Sequence, residues 1–482
     1  MSTLEIQKYL KANIERIKNT FHQTSDLIVR NIKAGFEGNF DICIIHLDGL
    51  IDTETVQNHV VKPLLQPLNT EVLKESLINQ IVESTIESAD VKVTSQYQDI
   101  INAIVKGNTI ILINGYDKAI IVPSVSWKER SIEQTTGERS PRGPVIGLTE
   151  KLKTNINIIR YTIQTPDLCV ETIELGTDAK KAVSILYIEG IVDRGILKEV
   201  KGRIKKLNIK YLPNARVVSD ALEGKPPSVF PLIRESDRID AIESSLFEGR
   251  VAIIVDGIPE AIIAPSLFIE SLQAPDEYHI KYGRLTIRFI RFISFLMGIF
   301  LPAIYLAIAN FHKENFSPKN VKLFITNDEV IPTFWELFIL SIIIRMLIDA
   351  SFRLPKSAVI LVSLIGTIII GQTAITAHII HPVSLIVVGL SALSSFLVIN
   401  QGFAAVDNIL RILLLLIANF LGFEGIIVAS TLLILYMVNL NSLGVPYLSP
   451  LIPFRIQELK DTLYRGDLKK LINSKHTFNE ND

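Results

Sequence analysis

Apolar positions along this chain change their period near residue 291. Before it they come in short runs, broken by charged helical stretches and by glycine turns. Phe40 to Thr53 reads FDICIIHLDGLIDT, an apolar run closed by Gly49 and followed by the amphipathic stretch TETVQNHVVKPLLQPL. Ala182 to Arg194 reads AVSILYIEGIVDR, with Gly190 in the same place and ILKEVKGRIKKL behind it. Each predicts a strand, a turn and a helix. A second pair follows at nearly the same offset: IVKGNTIILINGYDKAIIVPS from Ile104 and LFEGRVAIIVDGIPEAIIAPS from Leu246. Each predicts a helix stopping at a glycine, then a β-hairpin turning at Asn114-Gly115 or Asp256-Gly257. The pattern therefore predicts an α/β region of two similar subdomains, residues 1–126 and 127–285, the second opening with the polar linker WKERSIEQTTGERSPRGP from Trp127 to Pro144.

Beyond residue 291 the apolar runs lengthen to the scale of a bilayer. Phe292–Phe311 is long enough to span about 30 Å as a helix. Phe334–Ile348, Ala358–Ala377 and Val383–Ile399 follow, the last two separated by His378, His381 and Pro382. The block Ile409–Leu440 reads either as a hairpin turning at Gly422-Phe-Glu-Gly425 or as one long, broken helix; the hairpin is favoured. Residues 286–450 are thus expected to form an all-α polytopic transmembrane domain of five or six spans, with 451–482 as a charged tail.

Composition sharpens this division. The chain has 482 residues, 49 Lys+Arg, 50 Asp+Glu and a net charge of −1. Its mean hydropathy is +0.34, yet 21% of its residues are charged. Only 14 charged residues fall between Phe292 and Pro450, so both numbers average over a soluble and a membrane half. A purely soluble enzyme, a disordered chain and a secreted disulfide scaffold are excluded. The balanced charge argues against nucleic acid as a partner. Cys43 and Cys169 lack CxxC spacing and read as buried thiols of a reducing compartment. The polar N-terminus predicts no signal peptide, which places the soluble half in the cytoplasm. Lys281, Arg284, Arg288 and Arg291 before the first span, Arg353 and Lys356 after the second, and the basic tail favour both termini on that side, although Lys313, Lys319 and Lys322 weaken the bias.

Chemistry is sparse. Asp48, Asp52, Glu189 and Asp193 sit at strand ends, where an acidic residue is more often a helix cap than a catalytic acid. No nucleotide-binding, zinc-protease or nucleophile-elbow motif occurs, so no cofactor, no metal and no enzymatic activity are expected. Charges inside the apolar half are costly and mark candidates. Arg345 and Asp349 are spaced to pair along a helix, as are Asp349 and Arg353. Glu336 faces the opposite way from Arg345 and has no partner on its own helix. Glu336, Arg345 and Asp349 are therefore the candidates for an ion path or its gating. His378 and His381 read as a loop beside Pro382 before a pH-sensitive pair.

Short motifs in fixed order then carry a resemblance. They are Arg142-Gly143-Pro144 with Gly147-Leu-Thr-Glu150, NINIIR from Asn155 to Arg160, EGRVAIIVDG from Glu248 to Gly257, LPAIY from Leu301, Ala350 with Arg353-Leu-Pro355, Gly366, Gly371-Gln372, Ser395-Phe396 and Gly444-Val-Pro-Tyr447. Over nearly its whole length the chain resembles the A subunit of the GerA-type spore germinant receptors. It departs where Val145 and Ile146 replace an Arg-Glu pair of the linker and where His378 and His381 replace small residues. The resemblance implies a multi-pass protein of the spore inner membrane, acting with a permease-like B subunit that senses the nutrient and a lipoprotein C subunit. It also implies a homo-oligomer in contact with lipid that forms a nutrient-gated ion channel. The alternatives are a secondary transporter, which the small number of spans disfavours, and an accessory spore-membrane protein of the same family.

Overall fold

Two copies of one antiparallel sheet make up the N-terminal half. The first copy runs α1 (Leu10–Thr20), β1 (Leu27–Ala34), β2 (Phe40–Leu47), α2 (Thr53–Val56), a π turn, α3 (Lys62–Leu65), β3 (Lys92–Thr94), α4 (Tyr97–Val105), β4 (Thr109–Ile113) and β5 (Ala119–Val122). The second runs α5 (Leu152–Thr162), β6 (Leu168–Leu175), β7 (Lys181–Ile188), α6 (Arg194–Lys205), α7 (Arg216–Glu223), β8 (Arg234–Ser236), α8 (Ile239–Phe247), β9 (Val251–Val255) and β10 (Ala261–Ala264). Strand orders match: β1-β2-β4-β5-β3 and β6-β7-β9-β10-β8. This computed structural model describes residues 5–34, 40–65, 90–125, 146–273, 284–315, 330–355, 372–397 and 401–454, with 78, 79, 81, 82, 86, 317 and 478 singly.

The duplication is wider than the glycine pattern predicts, because α1 and α5 with β1 and β6 also correspond. The central strands β4 and β9 are buried along their whole length. Their apolar runs are continuous because helices cover both faces of each sheet. Ile17, Phe21, Ile100 and Ile104 pack on one face of the first sheet, and Val56, Val60 and Leu64 on the other. The hairpin loops are longer than the two-residue turns their dipeptides suggest, since Leu112 pairs with Ala119 and Ile254 with Ala261. Asn114 and Asp256 have another task there. The Leu10 amide donates to Asn114 Oδ1 at 3.4 Å and the Leu152 amide to Asp256 Oδ1 at 3.2 Å, so each loop tethers the first helix of its own copy. Asn13 and Asn155 are buried and pair with the backbone of Gln7 and Thr149, again alike in both copies.

Side chains of the NINIIR stretch join the copies. Arg160 is buried and grips Asp26 through Nε at 2.8 Å and Nη2 at 2.9 Å. The Thr24 hydroxyl accepts from the Val170 amide at 2.9 Å, docking the loop before β1 onto β6. Gly49 has φ +84, and a side chain there would come within 2.1 Å of Asn157 Oδ1.

The helical half comprises α9 (Arg284–Phe311), α10 (Thr333–Arg353), α11 (Pro382–Ser395) and α12 (Gln401–Asn439), closed by the two-residue strands β11 (Asn441–Ser442) and β12 (Val445–Pro446). Arg288–Phe311 and Ala405–Asn439 are long and apolar enough to cross a membrane. Contacts set the directions. Phe295 meets Phe403 at 5.2 Å between ring centroids, the Asn310 amide donates to Asn419 at 3.2 Å, and the His312 ring stands edge-on to Phe423 at 5.1 Å. The first half of α12 therefore runs alongside α9 in the same direction. At Gly422 the backbone leaves the helix, with φ 58 and ψ −142. Tyr436 then returns to Phe230, 6.2 Å away, which itself lies 5.7 Å from Phe403. A straight helix would hold residues 403 and 436 roughly 50 Å apart. The block is thus a helical hairpin, turned at Gly422. The expected span Ala358–Ala377 lies outside the described residues except for 372–377.

The helical half is joined to the second copy. Phe230, Phe268, Phe295, Phe403 and Tyr447 form one aromatic cluster. The Phe268 amide donates to the Tyr447 carbonyl at 3.0 Å, and the Ser442 hydroxyl donates to the Leu232 carbonyl at 2.5 Å.

Candidate functional site

Charged and hydroxyl side chains gather at two levels inside the helical half. The first level lies about halfway along α9, at Gly298, and joins three helices. Asp407 and Arg411, one turn apart on α12, are 0% and 5% exposed. The Arg411 guanidinium donates through Nη2 to Asp407 Oδ2 and to Ser395 Oγ of α11, both at 2.5 Å. Its Nε donates to the Gly298 carbonyl of α9 at 2.7 Å, and Ser391 Oγ donates to the same oxygen at 2.7 Å. Ser395 also bonds to Asp407 Oδ2. A carbonyl in mid-helix can accept these extra donors only where the helices come close, and Gly298 allows that approach. A methyl group there would lie 2.9 Å from Asp407 Oδ1. That oxygen is buried and has no hydrogen-bond partner among the described residues.

The second level is at the other end of the bundle. Glu336, 2% exposed, begins α10 and faces the start of α11. Its carboxylate accepts from Ser384 Oγ at 2.6 Å and from the His381 amide at 3.3 Å. His381 caps the same helix, its Nδ1 accepting from the Val383 amide at 3.2 Å, with Pro382 in the first turn. The Glu336 charge thus sits in the positive field of a helix N-terminus. Phe334, Trp335 and Phe338 cluster beside it, with Trp335 51% exposed, the pattern of aromatic side chains at a membrane–water boundary.

The sequence candidates are thus distributed. Glu336 meets the start of α11, through Ser384 and the His381 amide. Arg345 and Asp349 do pair, at 3.1 Å and partly exposed. The side chain of Arg353 and the signature Arg142, Gly143 and Pro144 lie outside the described residues. His378 is exposed with φ 51 and does not share the capping role of His381. Glu424 is exposed. Asp52 and Asp193 are helix N-caps, Asp193 Oδ1 accepting from the Gly195 and Ile196 amides at 2.7 and 3.0 Å. Burial pushes the Cys43 thiol up to about 12 and the Cys169 thiol up to about 11, so both stay protonated and inert. Among the described residues no three His, Cys, Asp or Glu side chains form a metal-holding group.

Asp407 and Arg411 were missed by sequence reasoning. Their signal was present: opposite charges four apart where a 50-residue uncharged run ends and the last apolar block begins.

Fold and site together define a duplicated α/β module joined to a helical half that carries two helices long and apolar enough to cross a membrane. The sequence pattern of the Bacillus/Clostridium GerA spore germination protein family matches residues 15–477. Spore germination protein KA of Bacillus subtilis (strain 168) is 32% identical over 463 residues, 95% of this chain and 85% of its own. Spore germination protein B1 of the same organism is 32% identical over 473 residues, 96% of this chain and 95% of its own. The crystal structure of the N-terminal domain of the A subunit of the Bacillus megaterium spore germinant receptor GerK3 is 26% identical, covers 56% of this chain and 99% of its own, and superposes with a TM-score of 0.44. The chain belongs to the GerA spore germination protein family.

Proposed function

We propose that this chain is the A-type subunit of a nutrient germinant receptor and that its helical half forms or gates an ion pathway that starts germination. The buried polar levels inside an otherwise apolar bundle carry this reading. Intramembrane charge is retained where it serves passage or switching. Glu336, Arg345 and Asp349 line or gate the pathway. The chain is a multi-pass protein of the spore inner membrane, with residues 1–126 and 127–285 in the cytoplasm, 286–450 in the membrane and 451–482 as a cytoplasmic tail. Its partners are a permease-like B subunit, a lipoprotein C subunit, further copies of itself and lipid. The opposed directions of neighbouring described helices support a multi-pass arrangement of five or six crossings. The α/β copies act in assembly and gating, without catalysis.

Glu336→Ala tests the proposal. It removes the carboxylate that holds the start of α11. The protein is expected to reach the membrane at normal level while nutrient-triggered cation release slows at least about tenfold, the scale of a lost charge-assisted contact. Normal release at normal protein level rejects a role for Glu336 in the pathway.

A further inference from the structure

The start of β9 holds a buried ion cluster that belongs to neither polar level of the bundle. Arg250 donates through Nη1 to Glu270 Oε2 at 2.6 Å and through Nη2 to Glu248 Oε2 at 2.7 Å. Ser266 Oγ donates to the same Glu270 oxygen at 3.1 Å. The side chains of Arg250 and Glu270 are 7% and 5% exposed. Both carboxylates meet the guanidinium at its rim, which leaves its flat faces for packing. One face carries the ring of Phe478, the guanidinium carbon lying 4.3 Å from the ring centroid. Phe478 is itself buried and belongs to the hydrophobic cluster that contains Phe268 and Leu272. A cation over an aromatic face is held more strongly the less water reaches it.

We propose that the C-terminal end of the chain is a clasp: Phe478 sits on Arg250 as a lid and fastens the joint between the second α/β copy and the helical half. The position of the cluster carries this. Glu270 stands in the 3₁₀ turn Phe268–Leu272, whose first residue receives both α9 and the end of the last helix. The Ser266 amide donates to Ser442 Oγ of β11 at 3.2 Å. Contacts therefore run without a break from the Phe478 ring through Arg250, Glu270 and Ser266 to the strand pair that closes the helices. The occupant of the guanidinium face is the chain's own end, beyond Phe454. The clasp is also built to release. Arg250 Nε and Glu270 Oε1 are buried with no hydrogen-bond partner among the described residues. Both gain water when the lid lifts, and that gain offsets part of what the ring loses. The clasp holds whether or not the helices conduct ions, so it is independent of the pathway reading.

Amide hydrogen exchange of the full chain, in lipid nanodiscs holding one chain each, tests the clasp. The amides of Phe268, Glu270 and Gln273 are hydrogen-bonded at the joint and report its opening. Phe478→Ala, and a chain ending at Thr477, are both expected to speed their exchange about tenfold, the scale of a desolvated cation–aromatic contact. The amides of Thr109–Ile113 in the first copy should keep the wild-type rate. Phe478→Leu should fall between, because it keeps the apolar cover and loses the attraction to the cation, and Phe478→Tyr should match the wild type. Trypsin cleavage after Lys475 gives a second readout, expected to be faster in Phe478→Ala. Unchanged exchange at the joint in Phe478→Ala overturns the clasp. An equal rise at Thr109–Ile113 overturns it too, since overall stability would then have fallen. Protection of the wild-type joint only in discs holding several chains would assign the lid to a neighbouring copy and overturn a clasp within one chain.

Discussion

The Arg160 guanidinium supplies a buried charge to the contact between the two α/β copies. Arg160 and Asp26 are 2% and 8% exposed, so their charges compensate one another away from water. Removing Arg160 leaves a buried carboxylate unpaired, which costs about 3–5 kcal/mol. Arg160→Ala is therefore expected to loosen the copies, read as faster trypsin cleavage of the full-length protein between residues 127 and 144. Arg160→Lys should fall between, because lysine keeps the charge and loses the two-pronged grip. The NINIIR stretch could be recognised as a motif, but its purpose was not legible. Its acidic partner lies 134 residues away in sequence, and no local spacing announces it. The acidic caps were legible, because a cap needs only its own next turn. Asp407 and Arg411 lay between these cases: visible as a spaced pair, yet meaningful only once Ser395 and Gly298 are brought beside them.

At the scale of elements, glycine decides where the last apolar block reverses. Gly422 lies in a backbone region that side chains rarely adopt, and a methyl there would also lie 3.0 Å from the Phe311 ring. Gly422→Ala is expected to lose about 1–3 kcal/mol from backbone strain alone. Thermal unfolding of the detergent-solubilised protein should show it as a lower Tm, recovered only in part by adding Phe311→Ala. The strands and hairpins of both copies were readable because apolar period and turn residues act locally. The hairpin in α12 was readable as an alternative only. A run of 32 residues fits one long helix or two short ones, and the choice is made by Phe230 receiving Tyr436, a contact that no periodicity encodes.

Across the whole molecule, the repeat was legible and its unequal use was not. Among the described residues, the aromatic cluster around Tyr447 joins the helices to the second copy. That side chain is fully buried, and its hydroxyl has no hydrogen-bond partner among the described residues. Burial also pushes the phenol well above its usual range, so it stays neutral. The ring therefore contributes packing and the hydroxyl contributes a desolvation cost. Tyr447→Phe is expected to leave Tm unchanged or raise it, while Tyr447→Ala lowers stability by about 3–5 kcal/mol through the cavity it leaves. A lower Tm for Tyr447→Phe would mean that the hydroxyl has an unseen partner.

The same contacts give the helical half an unusual mechanical boundary condition. Phe268 touches the first helix through Phe295 and receives the end of the last through Tyr447, so both ends of the helical chain are pinned to one residue's surroundings. The first and last of these helices are thus anchored side by side on the second copy. A displacement of the second copy cannot pull one end and leave the other behind. It moves both together, and the bundle can answer only by tilting or splaying at its far rim, where Gly422 and Glu336 lie.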